Sequence, residues 1–381
     1  MPDTVAGLPA QLAPSIRAAA AEMDATSDLP AGLRDELREA GAFRLLTPKE
    51  LGGSETSMTA TMALYEQLGR LDASVGWVVW NANFGFVGAL MDEAGTGRIW
   101  GDGAEPVFAN SGIPGMARPV DGGYRVSGNW KIVSGVNGAD WVVVIGIVMD
   151  GEAPRMTEAG TPDVRLISLH RDQVTVQNTW NVTGMRGSGS NNVVAEDAFV
   201  PEALAARFDR PARIDRPLYR GFIPALVIPG CTAVTLGVVQ SAIDETARLV
   251  TTKTGMTGAR LADLPHTQST IARAQSALDA ARLLLFSAIG ALEEAATAGD
   301  PVTLEQRAAL RAAMSHGAQV GRETLVAMYE LSSSSALYVG NPIERLFRDG
   351  MVALQHANHS AALFEAAGRV RFGLDPAVPL F

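Results

Sequence analysis

The sequence predicts a mainly helical protein interrupted by an all-β insert, in the order helical domain, β domain, helical bundle. Ala- and Leu-rich segments with helical spacing fill both ends of the 381-residue chain, whereas short runs rich in β-branched residues, split by turn residues, occupy the middle. The alternation of strand and helix that builds a doubly wound sheet is absent, and so is any repeat that would mark a solenoid. Boundaries are expected near 1–106, 107–213 and 214–381.

In the first part, Leu12 to Met23 is Ala-rich, and Pro30 opens a segment in which Leu33, Leu37 and Ala40 recur at helical spacing before Gly41. LTPKELGGSE carries Pro48 and the Gly52-Gly53 pair and reads as a loop; a third helix follows Ser57. From Val107 the strings VFANSG, DGGYRVSGNWKIVSG, DWVVVIGIV, RLISLH, QVTVQNTW and NNVVAEDAFVP read as strands. After Pro217 long helices return, with breaks near Thr254 to Pro265, Gly299 to Pro301 and Gly340 to Pro342. Those spacings suit a bundle of four or five helices.

Composition narrows the function. The 41 acidic residues exceed the 31 basic ones, giving a net charge of -10, and no Lys/Arg run tracks a phosphate backbone, so nucleic acid is not an expected partner. The single cysteine, Cys231, excludes a disulfide framework and has the apolar neighbours of a core thiol. No basic region followed by an apolar one opens the sequence, so a cytoplasmic protein is expected. Gly221 to Ile243 and Ala73 to Met91 are apolar enough to suggest membrane spans. Prolines and polar residues in the first, and Asn81 and Asn83 in the second, favour buried helices instead.

Three strings carry a resemblance. GYRVSGNWKIVSGVNGADWVVV (123–144), TWNVTGMRGSGSNNVVAEDAFVP (179–201) and NPIERLFRDGMVALQH (341–356) resemble, in order and spacing, motifs of the acyl-CoA dehydrogenase superfamily. The likeness covers nearly the whole chain and implies an N-terminal helical domain, a central β-barrel or sandwich and a C-terminal four-helix bundle. It also implies a flavin lying between the β domain and the bundle. The glycines at 184, 187 and 189 do not spell GxGxxG and precede a strand, so a Rossmann dinucleotide site is not supported. The resemblance places Asn110, Ser111, Trp130 and Ser134 beside the flavin, with the Ser134 hydroxyl near its reactive edge. It brings Arg348 and Asp349 toward the cofactor, and sets Lys253 where the family usually has an arginine reaching the pyrophosphate of a neighbouring subunit. A homotetramer is implied in the same way.

A thioester dehydrogenase needs a carboxylate held over its substrate. In the usual subfamily that glutamate comes nine residues after the arginine of the Arg-Asp pair, which here is Ala357, preceded by His356. The earlier location used by other members falls in IPGCTAVT and holds no acid either. An imidazole after the Arg-Asp helix resembles instead the two-component aromatic hydroxylases of the superfamily. That implies a flavin-dependent monooxygenase, supplied with reduced FAD (or FMN) by a separate NAD(P)H:flavin reductase, which uses O2 through a flavin C4a-hydroperoxide to hydroxylate a small aromatic substrate. His356 is the expected base, and His359 its neighbour on the same helical face. Asn81 and Asn83 stand where those hydroxylases often carry another histidine. Amides cannot take a proton near neutral pH, so this favours an indole over a phenol. Trp77, Trp80, Phe84, Phe86 and the 221–243 helix are expected to keep the pocket dry. His170, His266 and His316 have no motif context. The alternatives are dehydrogenation by a carboxylate from elsewhere, such as Glu330 or Glu344, N-oxygenation of an amine, and a flavin-binding or helical interaction module without catalysis.

Overall fold

A computed structural model of the chain describes residues 2–158, 160–256, 258–378 and 381. Five helices come first: α1 (Pro2–Thr26), α2 (Ala31–Glu39), α3 (Met58–Leu71), α4 (Ala73–Ala82) and α5 (Glu93–Trp100). α1 begins ten residues before the Leu12 expected from the Ala-rich run, while α2 and α3 start where their flanking residues announce. Pro30 precedes α2, and the Ser57 hydroxyl accepts the Ala60 N–H at 3.3 Å to open α3. Asp72 separates α3 from α4 and caps the latter by accepting the Val75 N–H at 3.1 Å. The apolar run from Ala73 to Met91 is not one helix: α4 stops at Ala82, because the Asn83 amide turns back to bond the 42–45 segment.

The β domain is one mixed sheet with hydrogen-bonded order β6-β7-β2-β1-β3-β5-β8 and β4 paired to β3. The strands are β1 (Phe108–Val120), β2 (Gly123–Val133), β3 (Trp141–Asp150), β4 (Ala153–Pro154), β5 (Val164–His170), β6 (Thr175–Gln177), β7 (Asn191–Pro201) and β8 (Ala205–Ala206). β1 pairs with β3 in parallel, while its hairpin with β2 is antiparallel. β2 bulges between Trp130 and Val133, with Ile132 at φ 60°. A β-branched residue adopts that conformation only under tertiary constraint, and here the bulge re-aims the chain two residues ahead of Ser134.

The bundle comprises α6 (Gly230–Thr252), α7 (Pro265–Ala298), α8 (Leu304–Ser332), α9 (Pro342–Ala353) and α10 (Ala361–Arg371). The stretch Ile223–Thr252 has the length and hydropathy of a membrane span, yet 89% of its most apolar window is buried in the protein, which makes it a core helix. The most apolar stretch of Pro265–Ala298 is 33% buried. α6 packs so closely on α3 that a Cβ at Gly237 would lie 2.0 Å from the Glu66 carbonyl. One continuous apolar core, including Trp80, Val142 and Leu236, joins all three parts.

Candidate active site

The three strings singled out in the sequence meet against α4, whose residues are buried throughout. Trp77 and Asn81 lie one turn apart and share a face. The Trp77 indole N–H donates to the Ser134 hydroxyl at 3.2 Å, and its ring stands edge-on to Trp80 (4.7 Å) and His356 (5.5 Å). Asn81 donates to the Trp77 carbonyl, while its own carbonyl and side-chain oxygens both accept from Asn110 Nδ2 at 2.9 and 3.1 Å. That fork fixes the Asn110 amide on β1 and leaves its Oδ1 without a hydrogen bond among the described residues. Trp80 donates to the Val227 carbonyl at 2.7 Å, and only glycine fits at 230, where a Cβ would lie 2.1 Å from the indole.

Ser134 is held from its other side by a buried chain of hydroxyls, Ser134 to Ser190 at 2.8 Å and Ser190 to Ser188 at 2.7 Å. Ser188 and Ser190 belong to the turn between β6 and β7, which Met185 (φ 55°) and Gly189 (φ 50°) bend through the left-handed region. This turn is seated on α9. The Met185 N–H donates to Asp349 Oδ1 at 2.6 Å, and a Cβ at Gly184 would lie 2.4 Å from the Arg348 carbonyl.

α9 ends three residues before His356, which caps the next short turn: its Nδ1 accepts the Asn358 N–H at 3.2 Å. A ring nitrogen that accepts carries no proton, so the neutral imidazole bears its proton on Nε2, beside Trp77 and Trp80. Burial pushes the His356 pKa down to about 4, and burial together with His356 pushes His359 down to about 3. His359 is buried, with Nδ1 against the Ala353 carbonyl at 3.2 Å; a carbonyl only accepts, so the Nδ1 proton lies there and Nε2 faces the Thr232 hydroxyl at 3.1 Å. Both imidazoles are uncharged at neutral pH. With Nδ1 engaged by the Asn358 N–H and the protonated ring disfavoured by burial, His356 presents an Nε2–H at the junction. The junction presents the Ser134 hydroxyl, the Asn110 Oδ1, the His356 Nε2–H and indole rings. That donor set is uncharged and fits a flavin ring, which is planar and polar only along its edge.

The family model "Acyl-CoA dehydrogenase, N-terminal domain" matches residues 10–98, and "Acyl-CoA dehydrogenase, C-terminal domain" matches 230–361. The chain belongs to the acyl-CoA dehydrogenase family. It is 32% identical over 367 residues to an indole-3-acetate monooxygenase of Pseudomonas putida, covering 94% of this chain and 91% of that one. Among solved structures, the HsaA monooxygenase of Mycobacterium tuberculosis superposes with a TM-score of 0.90 at 26% identity over 100% of both chains. XiaF of a Streptomyces species, solved in complex with FADH2 and glycerol, gives 0.88 at 25% identity over 98% of both. Within the acyl-CoA dehydrogenase family this chain is a flavin-dependent monooxygenase of the aromatic-hydroxylating kind, an oxygenase component that takes reduced flavin from a separate reductase and uses O2. Dehydrogenation is disfavoured by the structure as well: Glu344 is tied to Arg348, and Glu330 is exposed on α8.

Other expected site residues fall elsewhere. Asn83 has no group left for a ligand, since Oδ1 accepts the Leu45 N–H at 2.7 Å and Nδ2 donates to the Ala42 and Val79 carbonyls at 2.8 Å. The Trp130 ring is wholly buried between Gly115 and Gly128, its N–H without a partner among the described residues. The Ser111 hydroxyl accepts from the Ile113 N–H at 3.2 Å. Arg348 binds Glu344, Asp24 and the Thr183 carbonyl, so it and Asp349 fasten α9 to the turn. Lys253 donates to the Ser332 carbonyl and the Ser335 hydroxyl. It lies at the end of a helix running about 33 Å from Gly230, so it does not reach this junction within one chain. Phe84 and Phe86 pack on each other at 5.0 Å. An open cleft of about 820 Å³, lined by Arg38, Glu105, Asp140, Trp141 and His170 among others, contains none of the expected site residues. The sequence reading missed Ser188 and Ser190 as partners of Ser134; their spacing in GSGS was the available signal.

Proposed function

We propose that the substrate carries a neutral, planar, electron-rich heteroaromatic ring of the indole type, packed against the cluster of Trp77, Trp80 and His356. Bound reduced flavin and O2 supply the oxygen atom that such a ring accepts. The chain's own part is to position and to keep water out. Trp77 and Trp80, each under a tenth exposed, exclude solvent from the junction. The unengaged Asn110 Oδ1 is an acceptor for a ring N–H, and the His356 Nε2–H is a donor toward the reacting oxygen. A phenol that must lose its proton is served less well, because burial lowers the proton affinity of both histidines. The indole ring in the indole-3-acetate relative's name supports the choice of ring. Exposed apolar side chains on the bundle, Leu283, Leu284, Leu337 and Val339 among them, support assembly with further copies as a homotetramer.

The observation that carries the proposal is the Asn358 N–H to His356 Nδ1 bond. The test is product analysis with reduced flavin, O2 and a panel of indoles and phenols, for the wild type, His356→Asn and His356→Ala. An asparagine can donate but cannot act as a base. His356→Asn should therefore keep indole hydroxylation within about tenfold of wild type, while His356→Ala falls further. Equal loss in the two variants, or a preference for phenols, refutes the donor assignment.

A further inference from the structure

Both hydrogen bonds that hold Ser134 trace back to one buried cluster of charges. Trp77 reaches Ser134 from α4, whose first turn is capped by Asp72 Oδ1. Ser190 reaches it from the turn whose Met185 N–H is held by Asp349 Oδ1 at 2.6 Å. The remaining oxygens of these two carboxylates converge on Arg345 of α9, with Nη2 to Asp72 Oδ2 at 2.7 Å and Nε to Asp349 Oδ2 at 3.5 Å. α9 is also the helix that delivers His356. Asp72 is 8% and Asp349 4% exposed, so two acids share one guanidinium away from solvent. The other charged groups facing the cluster are committed to one another: Arg348 to Glu344 and Asp24, and Arg186 to the Asp24 carbonyl. Next to Asp349, Gly350 packs against Val238 of α6 and Leu325 of α8.

We infer that Asp72, Arg345 and Asp349 form the positioning centre of the active site, and that the charge on Asp349 governs how firmly Ser134 and His356 are held. A carboxylate on Asp349 keeps the ion pair to Arg345 and accepts strongly from Met185. A neutral carboxyl leaves Arg345 to Asp72 alone and loosens the turn that carries Ser188 and Ser190. Burial, and then the neighbouring Asp72 carboxylate, push Asp349 up to about 7; burial raises Asp72 as well. An acid whose pKa rises on folding favours its protonated form in the native state. Its contribution to stability is thus greatest below the unfolded value of about 4 and is lost as pH rises through about 7. Near neutral pH the ionised cluster is retained against stability, as expected for a group that serves geometry at a functional site.

The test compares wild type, Asp349→Asn and Asp72→Asn between about pH 6 and 8, the range around the raised value. Asparagine at 349 still accepts the Met185 N–H, so the variant is expected to fold. In wild type, the share of flavin oxidation released as hydrogen peroxide should rise about fivefold as pH falls, the factor expected for weakening one charge-assisted hydrogen bond. Asp349→Asn should stay at the acid level throughout. Asp72→Asn, by leaving Arg345 to Asp349, should move the transition to lower pH. The second readout needs neither flavin nor substrate: near-UV circular dichroism of the Trp77–Trp80 pair should follow the same transition in wild type and be flat in Asp349→Asn. A transition that persists in Asp349→Asn belongs to the flavin or another group and overturns the inference, as does a wild-type dichroism spectrum that does not change. Because the dichroism is measured on the flavin-free chain, its outcome stands apart from whether the proposed substrate is right.

Discussion

Trp77→Phe separates the hydrogen bond at Ser134 from the packing around it. Phenylalanine keeps an aromatic ring beside Trp80 and His356, which stand 4.7 and 5.5 Å from the indole, but removes the N–H that reaches Ser134 at 3.2 Å. Loss of one neutral buried hydrogen bond costs about 1 kcal/mol, and the space left by the second ring about 1–2 kcal/mol more. Denaturant unfolding should therefore show a loss of about 2–3 kcal/mol with an unchanged slope. The functional effect is narrower. Ser134 would remain bonded to Ser190 at 2.8 Å, and a hold weakened by about 1 kcal/mol corresponds to roughly a fivefold rise in hydrogen peroxide released per product formed. The decisive assay is a double-mutant cycle with Ser134→Ala, read on peroxide leakage. If the indole N–H acts through Ser134, the two substitutions should be coupled by about 0.5–1.5 kcal/mol. Additivity within about 0.3 kcal/mol would mean that Trp77 acts by packing alone, and the reasoning about Ser134 would fail.

Two further substitutions probe the frame around the site. Asn83→Leu leaves the Leu45 N–H and the Ala42 carbonyl without their partner and should cost about 3 kcal/mol in denaturant unfolding, with product ratios unchanged in the fraction that folds; a neutral effect would show that the amide does not fix the end of α4. Gly184→Ala forces a Cβ to within 2.4 Å of the Arg348 carbonyl, a backbone atom that cannot step aside. It should cost about 3 kcal/mol and weaken flavin binding by moving the turn that carries Ser188 and Ser190; unchanged flavin affinity would detach that turn from the site.

What the sequence revealed and what it concealed divide along the range of the interactions. Local periodicity and capping residues announce α2, α3, the strands and the breaks in the bundle, because Pro30, Ser57 and the glycine turns act on backbone within a few residues. The three motif strings likewise lead to the right region, since each is a local fragment of the junction. Partners were not legible where they lie far apart in the chain: Trp77 meets Ser134 across 57 residues, Met185 meets Asp349 across 164, and Asp72 meets Arg345 across 273. Asn81 and Asn83 look equivalent on paper, yet one turns toward Asn110 on β1 and the other is locked into the 42–45 segment.

The same distinction decides the chemistry of His356. Its residue type and its place after the Arg-Asp helix suggest a base, whereas the Asn358 N–H against Nδ1, in a buried setting, favours the donor role proposed for it. In this junction the groups free to meet a ligand are uncharged, while the charges of Asp72, Arg345 and Asp349 are drawn back behind it. Such an arrangement suits transfer of oxygen to a neutral ring. A charge in direct contact with the flavin edge would draw water into a site whose work depends on keeping it out, whereas a charge cluster one layer behind can fix the geometry without that penalty.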